Sequence, residues 1–142
     1  MKIEEIIIRH VKLELAQPFE TSFGKFTERH PLIIELKANG KIAYGEAPSL
    51  IGPFYNTETT KGAFHVIKDY IAPAIAGKEI NTPKELDEKM RFIKGNHIAK
   101  SGIDTAVHVA LAEEAGKSLS EYVGGNREKI DVGISIGIQR DS

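Results

Sequence analysis

The residues that could carry out chemistry in this sequence rarely stand at the spacings that catalytic or metal-binding sites require. Of the five histidines, none forms an H-x-x-x-H or H-E-x-x-H pattern, so no metal-binding helix is predicted. His65 and Asp69 are four residues apart on a predicted helix, which favours a solvent-exposed pair over a catalytic dyad. His108 lies near an apolar helix face, where hydrogen-bonded packing is favoured over metal binding. Ser101 and Ser135 have no nearby base, so neither is favoured as a nucleophile.

Composition excludes several other classes of function. The 142 residues carry a formal net charge of −1 and no basic cluster, so we expect no binding to nucleic acid or to an anionic membrane. No glycine-rich nucleotide loop is present. The absence of cysteine excludes disulfides and thiolate sites and fits a reducing compartment. An acidic N-terminus and the lack of an apolar run of about 20 residues argue against a signal peptide or membrane span, so we expect a cytoplasmic protein.

The first third of the sequence has the period of two that is typical of strands. Predicted strands cover residues 2–15, 31–38 and 41–47. Asn39-Gly40, between the second and third, is a strong signal for a two-residue hairpin because both residues tolerate positive φ. Residues 16–30 are interpreted as a long ordered loop, and residues 48–56 as a second one.

From residue 57 the period changes to 3.6, which predicts helices. Thr57 is the expected N-cap of the first helix, and Pro73 and Gly77 mark its end. Thr82-Pro-Lys-Glu85 is a capping box with proline at the first helical position, so a second helix begins there. Two further helices are predicted over residues 97–115 and 118–123. Antiparallel strands followed by helices predict an α+β fold.

Near the end of the sequence, aliphatic residues again alternate with polar or small ones, in Ile130-Asp-Val-Gly-Ile-Ser-Ile-Gly-Ile138. This segment follows Gly124-Gly125-Asn126 and predicts a separate strand that has no partner downstream. We therefore divide the chain into a domain over residues 1–125 and a linker with one strand over residues 126–142. Because both edges and both faces of such a strand need cover, we expect it to pair with another copy, to fold back onto its own sheet or to be disordered.

Three combinations of residues carry more information than any single residue. Tyr44-Gly-Glu-Ala47 closes the third strand, and Lys100-Ser-Gly-Ile-Asp-Thr-Ala-Val107 opens a helix face of small residues. Ser118-Leu-Ser-Glu-Tyr-Val-Gly-Gly125, a spacer and Val132-Gly-Ile-Ser-Ile-Gly137 complete the set. In this order they resemble the N-terminal region of the enolase superfamily. Within it they are most similar to the muconate cycloisomerase branch, with its o-succinylbenzoate synthases and N-acylamino acid racemases, and the resemblance extends to Ile138.

The resemblance implies a three-stranded antiparallel sheet followed by a bundle of three to four helices, which caps the mouth of a (β/α) barrel. Residues 130–138 would be the first barrel strand, and the chain would be truncated after it. Such isomerases and lyases abstract a proton α to a carboxylate with barrel lysines and a Mg²⁺ held by three barrel carboxylates. None of these residues lies in this chain. The resemblance therefore implies no catalytic and no metal-binding residue here, and it leaves open whether the chain alone is an enzyme.

The resemblance also implies contacts with a small-molecule carboxylate substrate. Phe19-Glu-Thr-Ser-Phe-Gly24 matches the first specificity loop of the family, and the loop ending Pro53-Phe-Tyr55 matches the second. Ser135, in the predicted strand at the end of the chain, would lie where relatives contact the substrate carboxylate. The candidate substrate-binding residues are Phe19, Thr21, Ser22, Phe23, Tyr55 and Ser135. The alternative is that the aromatic residues anchor the loops and that Ser135 is structural.

The sequence departs from the family at one place. Relatives usually read Ala-x-Trp-Asp-Leu where Ala106-Val-His-Val-Ala110 stands, so the subgroup stays open. Two hypotheses remain. The chain is either a capping domain that depends on a missing or separate barrel, or a stand-alone binding or oligomerisation module that self-associates without catalysis.

Overall fold

Five strands and a set of helices make up the computed structural model, which describes residues 1–138. The strands are β1 (Ile3–His10), β2 (Leu13–Thr21), β3 (Gly24–Arg29), β4 (Leu32–Ala38) and β5 (Lys41–Ala47). The helices are α1 (Thr60–Val66), a π-helical segment (Ile67–Ile71), α2 (Ala72–Ile75), α3 (Pro83–Met90), α4 (His97–Glu114) and α5 (Leu119–Tyr122). All strand pairs are antiparallel, in a three-stranded sheet of order β1-β4-β5 and a separate β2-β3 hairpin.

The predicted α+β fold with its three-stranded antiparallel sheet is confirmed. The turn between β4 and β5 is formed by Asn39 and Gly40, which have φ of 48° and 73°. Both values lie in the left-handed region that a type I′ turn requires. The alternation in β4 is also as predicted, since Leu32, Ile34 and Leu36 are fully buried.

The single strand predicted over residues 2–15 is divided in two. β1 ends at His10, the Val11 N–H donates to the Pro31 carbonyl oxygen at 3.1 Å, and β2 leaves the sheet to pair with β3. The loop predicted over residues 16–30 is therefore wrong, because these residues form most of a hairpin. Most hairpin side chains are exposed or half-buried, so the sequence lacks the alternation that identifies a strand with one buried face.

The first helix begins two residues later than predicted. Thr59 is the N-cap in place of Thr57, and its side-chain oxygen accepts from the Gly62 N–H at 3.1 Å. Both threonines are chemically suitable caps. Tertiary structure selects Thr59, which also forms an isolated bridge with Leu50 of the preceding loop.

The helix ends at Ile75, between Pro73 and Gly77 as predicted, and Pro73 itself lies within it. The chain stays helical to Ile75 because a π-helical turn precedes the proline. In that turn the Ala72 N–H donates to the Ile67 carbonyl oxygen, five residues back. The wider turn accommodates a residue that has no N–H and whose ring would crowd an ordinary α-helix.

The other predicted helices are confirmed with small changes at their ends. Thr82 caps α3 and accepts from the Glu85 N–H at 3.2 Å, while the Glu85 carboxylate accepts from the Asn81 N–H at 2.9 Å. In a standard capping box the Glu85 carboxylate would accept from the N–H of the N-cap, Thr82, whereas here it accepts from the N–H of the residue before it. α5 has a complete capping box between Ser118 and Glu121.

The strand predicted over residues 130–138 is not formed in the part of the chain that the structure describes. Its aliphatic side chains are exposed by 55% to 87%. They belong to Ile130, Val132, Ile134, Ile136 and Ile138. A strand forms by pairing along an edge, whereas this segment reaches the hairpin near its end, where the Ile138 N–H donates to the Glu20 carbonyl oxygen at 2.9 Å. Residues 139–142 of the predicted second domain lie outside the described residues.

Helix α4 lies across the three-stranded sheet and makes its closest approach at β5. A Cβ added at Gly45 of β5 would collide with the Gly102 carbonyl oxygen and stand 2.8 Å from the Ala106 nitrogen. A Cβ at Gly102 would stand 3.0 Å from the Ala47 Cβ. Small residues on both elements therefore let the backbones pack almost directly against each other.

This close approach predicts a large cost for Gly45→Ala. The added methyl group must separate β5 from α4, which we expect to lower the free energy of unfolding by roughly 2–3 kcal/mol. Gly133→Ala is the matched control, because a Cβ there meets nothing within 4 Å. Urea unfolding followed by circular dichroism checks the difference. Equal midpoints for the two variants would contradict the packing described for β5 and α4.

Candidate binding groove

A groove with a volume of about 390 Å³ lies between the β2-β3 hairpin and residues 48–56. We call it the hairpin groove. The hairpin supplies one wall and the irregular segment after β5 supplies the other. Its lining residues are Phe19, Thr21, Phe23, Phe26, Arg29, Pro48, Leu50, Tyr55, Asn56 and Ile98. The two loops that the sequence singled out therefore face a common space.

Four of the six predicted site residues line this groove, namely Phe19, Thr21, Phe23 and Tyr55. Ser22 is exposed in the hairpin turn and is not one of the lining residues. Ser135 is also exposed, and it lies in the segment that forms no strand. The structure thus brings together the aromatic residues and Thr21, but not the two serines. A role in substrate binding stays a prediction for all six.

Aromatic contacts join the two walls. The Phe23 ring centroid lies 5.6 Å from that of Phe26 on the hairpin and 5.6 Å from that of Tyr55 across the groove. Such distances are typical of stabilising aromatic pairs. Phe23 nevertheless stays 42% exposed and Tyr55 74% exposed. The rings therefore both hold the loops together and keep apolar surface open to a ligand.

Thr60 ties the base of the hairpin to the second wall. Its hydroxyl donates to the His30 carbonyl oxygen at 2.9 Å and lies 3.2 Å from the Ser49 carbonyl oxygen. Its backbone N–H donates to the Leu50 carbonyl oxygen at 2.9 Å. Because Thr60 is buried, these hydrogen bonds form away from solvent and fix the start of the second wall.

Glu58 fixes the end of that wall to helix α4. Its carboxylate accepts from the Ile98 N–H at 3.0 and 3.1 Å and from the Ala99 N–H at 3.1 Å. The residue that precedes α4, Asn96, has a left-handed backbone and no side-chain capping bond. A carboxylate from 40 residues away therefore satisfies N–H groups that a local cap would otherwise satisfy, and its charge suits the helix N-terminus.

The sequence did not predict that four further residues line or support the groove, namely Glu58, Phe26, Arg29 and Ile98. The sequence contains no signal for Glu58, because Asn96 is a suitable N-cap residue and only the structure shows that its side chain makes no capping bond. Phe26 and Arg29 were not predicted because they lie in residues that were interpreted as a loop. Their spacing also does not by itself place them on one face. Ile98 approaches the groove only through the packing of α4.

Titratable side chains outside the groove form hydrogen-bonded pairs and chains. His10 Nε2 lies 3.2 Å from His30 Nδ1, and His30 Nε2 lies 2.7 Å from a Glu28 carboxylate oxygen. Hydrogen bonds from Lys12 and from His30 lower the pKa of Glu28. Within residues 1–138, no group of three or more His, Asp or Glu side chains could hold a metal ion.

The pair considered from the sequence is present, and His108 also has hydrogen-bonded and ring contacts. His65 Nδ1 lies 2.7 Å from an Asp69 carboxylate oxygen, on the surface. His108 donates from Nδ1 to the Asp104 carbonyl oxygen at 2.9 Å and packs edge-on against Tyr122. Burial raises the pKa of the Asp104 carboxyl, and the nearby His108 opposes that shift. These contacts fit surface pairing for His65 and packing for His108.

None of the helices in the described part of the chain has the length and apolar character that crossing a membrane requires.

The chain is similar to proteins of a known family. The family model for the mandelate racemase / muconate lactonizing enzyme N-terminal domain matches residues 3–124. The chain belongs to this family. The predicted relationship to the enolase superfamily and to its o-succinylbenzoate synthase and racemase branch is confirmed by the individual relatives.

An o-succinylbenzoate synthase of Geobacillus stearothermophilus is 36% identical over 140 residues, which cover 98% of this chain and 37% of that protein. An N-succinylamino acid racemase of Thermus thermophilus is 34% identical over 139 residues, with shares of 98% and 38%. A solved member of the enolase superfamily from Listeria innocua has a TM-score of 0.92 at 35% identity, covering 99% of this chain and 38% of that chain. The chain thus spans little more than a third of the length of these relatives.

The contact between Glu58 and α4 predicts a local effect of Glu58→Gln. Loss of the charge at the helix N-terminus should lower the free energy of unfolding by about 1 kcal/mol. It should also speed hydrogen exchange at the Ile98 and Ala99 amides. Glu46→Gln is the control, because Glu46 is exposed on β5, and its effect should stay within about 0.5 kcal/mol. Unchanged exchange at both amides in Glu58→Gln would contradict the capping role.

Proposed function

We propose that this chain is the substrate-covering domain of an enolase-superfamily enzyme that acts on a small carboxylate by abstraction of an α-proton. The observation that carries the proposal is the hairpin groove in a chain of this family. Its two walls come from the two loops that the family resemblance links to specificity. Relatives of this chain are named as o-succinylbenzoate synthases and N-succinylamino acid racemases.

The groove suits a covering role better than a reactive one. It is lined mainly by aromatic and aliphatic side chains, and three of the aromatic rings are partly exposed. Apolar side chains that close over a ligand exclude water, which strengthens the electrostatic interactions at a reaction centre beneath. In this proposal Phe19, Phe23 and Tyr55 contact the part of the substrate away from the reacting carbon. Thr21 closes the hairpin by donating to the Gly24 carbonyl oxygen at 3.0 Å.

The proposal assigns no chemical step to this chain. The described residues offer no cluster that fits Mg²⁺, so the metal and the proton-transfer groups are assigned to a barrel domain that this chain would cover. Residues 1–125 would be the capping domain and residues 126–142 the linker and first barrel strand, with Ser135 near the substrate carboxylate. A cytoplasmic location belongs to the same proposal, and it rests on the absence of cysteine.

The proposal predicts a specific effect of Tyr55→Ala on ligand binding. N-succinylphenylalanine added to the isotope-labelled chain should shift the backbone amide signals of the hairpin and of residues 48–56 in NMR spectra. Loss of the Tyr55 ring should weaken this binding several-fold, because aromatic contacts contribute about 1 kcal/mol beyond buried area. Tyr70→Ala is the control, because Tyr70 is also an exposed tyrosine but lies outside the groove lining. Shifts confined to other surfaces would contradict the proposal.

One observation favours a second function, self-association. Segment 130–138 exposes five aliphatic side chains in alternation, and an exposed apolar segment is a typical contact surface. A second copy of the chain could cover this apolar surface by pairing with the segment. In this alternative the chain is a stand-alone binding or oligomerisation module.

Ile134→Asp separates the two functions. Ile134 is 87% exposed, so the folded core should tolerate the substitution, while a charge in a strand interface should prevent association. Phe92→Asp is the control, since Phe92 is exposed by 58% elsewhere. Analytical ultracentrifugation should find dimers for the unmodified chain and for Phe92→Asp, and monomers for Ile134→Asp. A monomeric unmodified chain at all concentrations would exclude self-association.

A further inference from the structure

Arg29 is the one charged side chain among the described residues that line the hairpin groove. It lies at the end of β3, opposite Leu13 of β2, and it is half-buried. The rest of the lining is aromatic, aliphatic or neutral and polar. A ligand site that is mostly apolar usually obtains its specificity from a few such polar groups.

In the described part of the chain, the guanidinium of Arg29 forms no ion pair, unlike three other cations. Its Nη2 donates to the Pro48 carbonyl oxygen at 3.4 Å, a long hydrogen bond. Within residues 1–138 the structure gives it no carboxylate partner. Arg9, Lys12 and Lys37 each contact a carboxylate at 2.6 to 2.8 Å. Arg29 therefore keeps N–H donors without a carboxylate partner among the described residues, at the border between the hairpin groove and a neighbouring cavity.

We propose that Arg29 binds a carboxylate at the distal end of the ligand, the end that lies in the hairpin groove. The apolar part of the ligand then lies against Phe23 and Tyr55. The planar guanidinium has five N–H donors in a fork that matches the two oxygens of a carboxylate. The ligand is thus an acid whose apolar portion ends in an anionic group. This inference rests on the proposed function and deepens it, because it names the residue that selects the distal group of the substrate.

The competing explanation is that Arg29 only holds the second wall in place through Pro48. A residue with that role would affect charged and neutral ligands alike. A residue that binds an anion would affect the charged ligand alone. Two ligands of the same shape, 3-phenylpropionate and its neutral amide 3-phenylpropanamide, separate these roles.

The test is an NMR titration of the isotope-labelled chain at neutral pH with each ligand. In the unmodified chain the acid should bind about tenfold more tightly than the amide, the effect of one charge-assisted hydrogen-bonded pair. Arg29→Gln should remove this preference and leave the affinity for the amide unchanged. Arg29→Lys should keep part of it, because the charge remains and the fork is lost.

Lys25→Gln is the matched control. Lys25 stands on the same strand and carries the same charge, but it lines a neighbouring cavity and not the hairpin groove. This variant should keep the full preference for the acid. Equal loss in Lys25→Gln and Arg29→Gln would mean general attraction by positive charge and would overturn the proposal.

The outcomes distinguish this inference from the proposed function. Equal binding of acid and amide by the unmodified chain, with shifts at Phe23 and Tyr55, would overturn the role of Arg29 and leave the groove intact as a covering surface. Weaker binding of both ligands to Arg29→Gln would show that Arg29 holds the loop, and would also overturn its anion-binding role. No shift with either ligand would overturn both the inference and the proposed use of the groove.

Discussion

The close contact between β5 and α4 is the constraint on which the rest of the structure depends. At Gly45 the strand has no side chain, and the helix presents Gly102 and Ala106 at the same level. The two backbones therefore approach to a distance that no larger residue at Gly45 would permit. This contact sets where α4 lies on the sheet, and so it also sets where the N-terminus of α4 meets the loops.

The position of α4 in turn determines where the walls of the groove lie. The first turn of α4 brings Ile98 to the groove and offers its N–H groups to Glu58. Glu58 thereby holds the end of the second wall, while Thr60 holds that wall to the base of the hairpin. The hairpin itself pairs outside the main sheet, so its tip meets the second wall mainly through Phe23 and Tyr55. The result is a groove with a buried, hydrogen-bonded base and two less buried walls, an arrangement that suits the proposed covering role.

The sequence predicted the elements that bury one face and failed where no such face exists. β4 and β5 alternate because their inner side chains pack under α4, and the turn at Asn39 is specified by two residues. The β2-β3 hairpin has little buried surface and left no periodic signal. The π-helical turn that precedes Pro73 was also not predicted, because no local pattern marks it.

The candidate site was only partly predictable for a similar reason. Family resemblance identified both loops, but not that Arg29 and Phe26 share their groove, because that depends on the hairpin register. Glu58 acts on residues 40 positions away, and such a long-range cap is visible only in three dimensions. The alternation in residues 130–138 did predict exposed aliphatic side chains in need of cover. It also predicted a strand, whereas residues 130–138 form none.

In the proposed function, this chain covers a carboxylate ligand but does not transform it. The most direct measurement is a proton NMR spectrum of N-succinylphenylalanine in D₂O with Mg²⁺ and the chain. The account predicts that the ligand signals broaden or shift while the Cα proton signal keeps its full intensity over time. Loss of that signal at a rate proportional to the concentration of the chain would show α-proton exchange and would contradict the account.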